Sequence, residues 1–223
     1  MLRDIGIPPY NSSAADRSLY PAKYVKPAPR KSADMISVVR TGNFSALMYN
    51  DRSSSAWMDG SFYRPAATSF SGYYPVGDYA QGNYNAANGV VMMVKDDGGI
   101  LVTKPTHYEQ VWNDKGSRAD MDGSFWRPIP PAGYVAIGHV TQNNYNAPST
   151  DAVRVIRSDC VVRCDSWLVW TDRCSKTDMD VGIWAVAETS SPTTGVFIST
   201  NTYAAPSRSL FYCLNPDCIQ YDN

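Results

Sequence analysis

The sequence predicts an all-β domain built from three copies of one unit, arranged as a three-repeat, pseudo-threefold β-prism. Three observations carry this. A motif recurs three times at a fixed internal spacing; 15 Gly, 15 Pro and 15 Tyr in 223 residues favour turns and aromatic strands; and no amphipathic helical pattern persists for three turns.

The first copy reads YND at 49–51, MDGSFYRP at 58–65, GYYPVGDY at 72–79 and NYNA at 83–86. The second reads WND at 112–114, MDGSFWRPIPP at 121–131, GYVAIGHV at 133–140 and NYNAPS at 144–149. The third keeps WTD at 170–172, MDVGIW at 179–184, GVFIS at 195–199 and TYAAPS at 202–207. Asp51, Asp114 and Asp172 are offset by 63 and 58 residues, and Asp59, Asp122 and Asp180 repeat both offsets. Each copy therefore holds its two aspartates eight positions apart. Tyr84, Tyr145 and Tyr203 follow with offsets of 61 and 58, so a loop absorbs the length change between the second Asp and the Tyr.

Strand candidates within each unit are short and bounded by Gly, Asn, Asp and Pro, as in GVVMMVK near Val90, AVRVIRS near Val153 and SLFYCL near Leu210. Units spanning about 36–97, 98–158 and 159–223, each with three or four strands, predict a closed threefold assembly. A β-prism, with three sheets packed around one axis, accounts for this best. A β-trefoil is the alternative, but its repeat is usually shorter and carries a Q-x-W signature that this sequence lacks.

Residues 1–35 stand outside the repeat as a Pro-rich extension. Prolines at 8, 9, 21, 27 and 29 alternate with Tyr10, Tyr20, Tyr24 and the basic residues Arg17, Lys23, Lys26, Arg30 and Lys31. That composition describes an extended arm, lying as a surface strap or docking a protein partner.

Lys and Arg total 20 against 21 Asp and Glu, so no global field draws the chain to nucleic acid. Neither a signal-peptide core nor a stretch of about eighteen apolar residues is present, which predicts a protein that is not transmembrane, either cytoplasmic or exported without a conventional leader. Cys160, Cys164, Cys174, Cys213 and Cys218 are odd in number, which favours a reduced compartment, although Cys213 with Cys218, or a pair among the other three, can close a bridge.

The string WNDKGSRADMDGSFWRPIPPAGYVAIGHV resembles the signature of the vacuolar protein sorting-associated protein 62 family, in which Trp-x-Asp, a Gly-Ser loop, Phe-Trp-Arg-Pro and Pro-Pro-x-Gly-Tyr follow in this order. The match is specific in the second copy, weaker in the first and faint in the third, which has lost the Arg-Pro and the Gly-Tyr. The resemblance implies a recognition module, akin to jacalin-like lectins, the membrane-binding prism of a multivesicular-body subunit and the targeting ends of pore-forming toxins.

Two site chemistries are legible. Asn83, Tyr84 and Asn85, with Asn144, Tyr145, Asn146 and Tyr203, have the composition of a sugar site, where a ring stacks on a pyranose and amides bond its hydroxyls; the bland account makes each Tyr a cap and each Asn a turn residue. Asp114, Asp120 and Asp122, and likewise Asp172, Asp178 and Asp180, can offer oxygens to calcium; the bland account has them accept backbone N–H groups and fix the turns. Trp57 replaces the middle Asp in the first copy. Trp57, Trp112, Trp126 and Trp170 are expected in the core, and Arg64 and Arg127 are expected to pair with Asp59 and Asp122. With only His107 and His139, neither recurring from copy to copy, and no catalytic motif, the chain reads as a non-enzyme. The expected function is a lectin-type domain binding glycan or a glycosylated or lipid surface through repeated loops, without an obligatory cofactor. The alternative is a protein-interaction or assembly module, including the targeting domain of a toxin system.

Overall fold

The structure, a computed structural model, describes residues 35–187 and 195–222; the predicted arm, at 1–34, falls outside them. The described residues are all-β. Eighteen short strands form six small sheets, joined by 3-10 turns at Ala67–Ser69, Ser158–Cys160, Arg208–Leu210 and Pro216–Cys218.

The same pairing recurs in each third of the chain. In the first, β2 (Phe44–Asn50), β3 (Ser61–Pro65) and β5 (Tyr79–Gln81) form a three-stranded antiparallel sheet. Its counterparts are β8 (His107–Asn113), β9 (Ser124–Ile129) and β11 (Val140–Gln142), then β14 (Asp165–Thr171), β15 (Gly182–Ala187) and β16 (Phe197–Thr200). Register is kept: Ser61 opposes Gln81, Ser124 opposes Gln142, and Gly182 opposes Thr200. The outer strand of each sheet has a bulge at the same place, between Leu47 and Tyr49, Gln110 and Trp112, and Leu168 and Trp170. One extra residue there re-aims the aromatic side chain toward the centre.

Each copy also builds a second sheet, where the sequence reading expects one. β1 (Ile36–Thr41), β4 (Tyr74–Pro75) and β6 (Val91–Lys95) form the first; β7 (Val102–Thr103), β10 (Tyr134–Val135) and β12 (Val155–Arg157) the second; β13 (Val161–Arg163) and β17 (Tyr212–Leu214) the third. Strands of two residues carry no periodicity, so no pattern announces β4, β7 or β10. The final strand, β18 (Ile219–Tyr221), joins β1 in parallel and brings the third copy back onto the first.

Two large apolar clusters, with two smaller ones around Trp126 and Met93, fill the interior. One is aromatic, with Tyr49, Phe62, Trp112, Phe125, Trp170 and Phe197 all buried. Most of its rings meet edge to face, with Trp112 and Trp170 centroids 5.8 Å apart and Tyr49 and Trp170 6.5 Å apart, while Trp112 and Phe125 stack at 4.9 Å. Trp112, Trp126 and Trp170 are in the core as expected, whereas Trp57 is 73% exposed. The other cluster is aliphatic, from Ile36, Val38, Met92 and Val94 to Ile156 and Phe211, and contains four cysteines.

Those cysteines form Cys160–Cys218 and Cys164–Cys213, which corrects the expectation of a reduced chain and of a Cys213–Cys218 pair. Cys160 and Cys164 flank β13, and its antiparallel partner β17 begins beside Cys213. Only that pairing puts the sulfurs in register across 58 and 49 residues of sequence. The odd cysteine, Cys174, is exposed and unpaired.

Candidate functional site

The three WND-type loops and the three Tyr-bearing loops meet at one end of the molecule, and each aspartate of the first type is a buried hub. Asp51 Oδ1 accepts the Gly60 N–H at 2.8 Å and the Tyr84 hydroxyl at 2.9 Å, and its Oδ2 accepts the Trp170 indole N–H at 3.0 Å. Asp114 accepts from Gly123 N at 2.9 Å, the Tyr145 hydroxyl at 3.0 Å and the Ser117 hydroxyl at 3.1 Å. Asp172 accepts from Val181 N at 2.9 Å, the Thr177 hydroxyl at 2.6 Å and the Trp112 indole at 2.9 Å.

Two of these bonds pass from one copy to the next. Trp112 of the second copy donates to Asp172 of the third, and Trp170 of the third donates to Asp51 of the first. Tyr49 occupies the corresponding place, and its phenol is pushed well above its ordinary pKa by burial and by the Asp114 carboxylate. Backbone links bind the outer loops as well: Trp57 N–H donates to Arg173 O at 3.0 Å and Asp120 N–H to Arg52 O at 2.9 Å.

The residue after each hub lays its cation on the neighbouring tyrosine. The Arg52 guanidinium is 4.4 Å from the Tyr84 ring centre, and the Lys115 and Arg173 charges are each 4.7 Å from the Tyr145 and Tyr203 rings. Tyr145 donates to Asp122 as well as to Asp114, and Tyr203 donates to Asp180. Burial, and then hydrogen bonding to carboxylates, raises all three phenols above their ordinary pKa. The rings expected to be open stacking faces are therefore half-buried ties with a cation on one face.

The asparagines serve the loops too. Asn83 Oδ1 accepts from Asn85 N at 2.9 Å and Asn144 Oδ1 from Asn146 N at 2.8 Å, each closing a turn, while Thr202 Oγ1 does the same for Ala204 N at 3.2 Å. Asp114, Asp120 and Asp122, and likewise Asp172, Asp178 and Asp180, lie on the loops that carry the hubs. Among the described residues no three His, Cys, Asp or Glu side chains come together in a way that could hold a metal ion. Asp114 and Asp172 each accept from three N–H or O–H donors of their own loops and neighbours.

The arginines pair differently from the expectation. Arg64 makes a two-pronged contact with fully buried Asp78, at 3.1 and 2.9 Å, and reaches across to Thr141 O and Gln142 Oε1. Arg127 pairs with exposed Glu109. Asp59 and Asp122 lie eight residues beyond their hubs on the exposed loop, out of line with the strands that present Arg64 and Arg127, so sequence proximity misleads here. The positions of Asp78, His139 and Phe197 are equivalent by register, each three residues before Gln81, Gln142 and Thr200. Asp78 accepts the backbone N–H of Thr141 at 2.7 Å, and His139 Nδ1 accepts that of Ser199 at 3.1 Å, again linking one copy to the next.

Where adjacent copies meet, the surface is hollowed. One groove of about 740 Å³ lies between the second and third copies, with Glu109, Arg127, Tyr134, Asn201 and Tyr212 among its walls. Another, of about 400 Å³, lies between the third and the first. Neither was legible in the sequence, because each draws on strands of two different copies.

No curated protein matches this sequence. Among solved structures, the crystal structure of GNIP1Aa from Chromobacterium piscinae superposes with a TM-score of 0.70 at 23% identity, covering 86% of this chain and 39% of that one, a likeness of fold. No helix among the described residues is long and apolar enough to cross a membrane. The family model of vacuolar protein sorting-associated protein 62 matches residues 31–216, which include every hub and every loop tyrosine described above, and the chain belongs to that family.

Proposed function

We propose that the chain is a non-enzymatic recognition domain of lectin type, folded as a β-prism and holding a glycan or glycosylated surface at the end where the three loop pairs meet. One observation carries the reading: Trp57, in the place held by Asp120 and Asp178 in the other copies, is 73% exposed on a loop whose backbone is fixed by Arg173 O. A large apolar side chain displayed to water on a rigid mount is the anatomy of a binding anchor. The bonding between copies supports the same reading, since a preorganised platform loses little entropy on binding.

Nothing comparable supports catalysis. His139 is buried and held neutral, with its pKa lowered to about 3 by burial and by the Arg127 charge, and His107 lies exposed against the Thr106 hydroxyl. A glycan array probed with the wild type and with Trp57→Ala tests the proposal. Binding that Trp57→Ala removes, with the melting temperature unchanged, is the expected result. Absence of glycan binding combined with binding to protein-free lipid vesicles overturns it in favour of a lipid surface.

A further inference from the structure

The groove of about 400 Å³ between the third and first copies has a composition unlike its counterparts at the other two junctions. All three are made alike, from the outer strand of one copy and the third strand of the next sheet. At the junction of the first and second copies the space receives Arg64, which bonds Thr141 O and Gln142 Oε1. At the second, the outer strand presents the charged Glu109, paired with Arg127. At the third, the position of Ala46 and Glu109 is taken by Trp167, 49% exposed, followed by Leu168, 40% exposed.

Facing this apolar wall is a set of amides. Gln81 is 95% buried, and its Nε2 donates to both Asn83 Oδ1 at 2.9 Å and Asn85 O at 2.7 Å, which fixes the orientation of the amide. Its Oε1 is thereby turned away from both acceptors and has no hydrogen-bond partner. A buried carbonyl left without a donor costs free energy unless something supplies one. Asn88 and Asn83 also line the groove; their Oδ1 atoms accept from Tyr79 and from Gln81 and Asn85, so their amide N–H groups remain to donate. The Trp167 indole N–H has no partner among the described residues.

We infer that this groove is a saccharide subsite for a neutral hexopyranose, with Trp167 and Leu168 covering the apolar C–H face and Asn83 and Asn88 donating to ring hydroxyls. A pyranose matches the inventory because each hydroxyl both donates and accepts, and this groove holds amide donors with no formal charge among its described lining residues. The choice of ligand class rests on the recognition reading above, but the place does not: Trp57 belongs to the loop end and is not part of the groove.

The probes are methyl α-glucoside, methyl α-mannoside and methyl α-galactoside at millimolar to tens-of-millimolar concentration. Binding is read by saturation-transfer NMR and by the shift of the Gln81 side-chain amide resonances, with wild type, Trp57→Ala, Trp167→Ala and Asn88→Ala. Binding of at least one glycoside, weakened tenfold or more by Trp167→Ala, reduced by Asn88→Ala and unchanged by Trp57→Ala, is the expected result. Melting temperatures of the variants establish that they are folded, as expected for changes at exposed side chains. Glycoside binding that survives Trp167→Ala, or that leaves the Gln81 resonances unmoved, overturns the subsite. If no glycoside binds, the subsite is overturned while a positive array leaves the loop-end reading standing. If the array is blank as well, both fall.

Discussion

His139 makes the fold acid-sensitive in a way that can be isolated. Its ring is buried, its Nδ1 accepts the Ser199 backbone N–H at 3.1 Å with the Ser199 hydroxyl 2.7 Å away, and its pKa is held near 3, from burial first and the Arg127 charge second. Protonation at Nδ1 sets one N–H against another and charges a site closed to water. The folded-state pKa is lowered, so the unfolded chain takes up this proton from about pH 6.5 downward while the folded chain refuses it until near pH 3. Stability from this group is complete above about pH 6.5 and is lost as the pH falls, by about 1.4 kcal/mol per unit inside that window. Between pH 6.5 and 4.5 the loss is about 3 kcal/mol, which lowers the melting temperature of a domain this size by roughly 6 to 12 °C. Carboxylates elsewhere titrate in the same range, so the comparison is with His139→Asn, whose Oδ1 takes the place of Nδ1 and cannot be protonated. Calorimetric melting of both proteins from pH 7 to 4.5 is the assay. The wild type should fall more steeply by this amount. Parallel curves would refute the assignment of a buried, neutral imidazole.

Other outcomes follow from the same contacts. Tyr145→Phe removes the hydroxyl that bonds Asp114 and Asp122 and should cost about 1 to 3 kcal/mol in urea titration while leaving the circular dichroism spectrum unchanged. Trp170→Phe keeps an aromatic ring but leaves Asp51 Oδ2 and Met58 O without the indole donor, so its midpoint should drop by a comparable or larger amount, and equal stability would deny the bond between copies its role. Reduction of the buried Cys160–Cys218 and Cys164–Cys213 bridges should destabilise the protein by about 2 to 5 kcal/mol, measured as a lower denaturation midpoint in the presence of reductant.

The repeated chemistry was readable from the sequence because it is carried by identical side chains at constant spacing. Asp51, Asp114 and Asp172 announce three equal loops, and the structure gives each the same Gly or Val N–H and a tyrosine or hydroxyl partner. What the same repeat concealed is equally specific. Asp78, His139 and Phe197 are equivalent in register yet share no chemistry, so no motif joins them, although two of the three bond the next copy. Arg64 finds Asp78 and not Asp59 because strand pairing, not sequence distance, decides which carboxylate it meets. Trp57 has the side chain of a core residue at a loop position where its counterparts are aspartates. The disulfides join residues 49 and 58 apart in sequence, and only the pairing of β13 with β17 says which cysteine faces which.

The parallel pairing of β18 with β1 bears on how the domain withstands tension. Ile36, Ser37 and Val38 oppose Ile219, Gln220 and Tyr221, with Asp222 N–H donating to Val38 O at 3.0 Å and Gln220 Nε2 to Ser37 Oγ at 2.9 Å. Because the two strands run the same way, traction applied through residues 35 and 222 pulls them past each other along their length. The hydrogen bonds are loaded together in shear instead of opening one after another like a zipper. The first and third copies therefore come apart only when the whole clasp fails at once, and beyond it the Cys160–Cys218 bond limits how far the last strand can be drawn out.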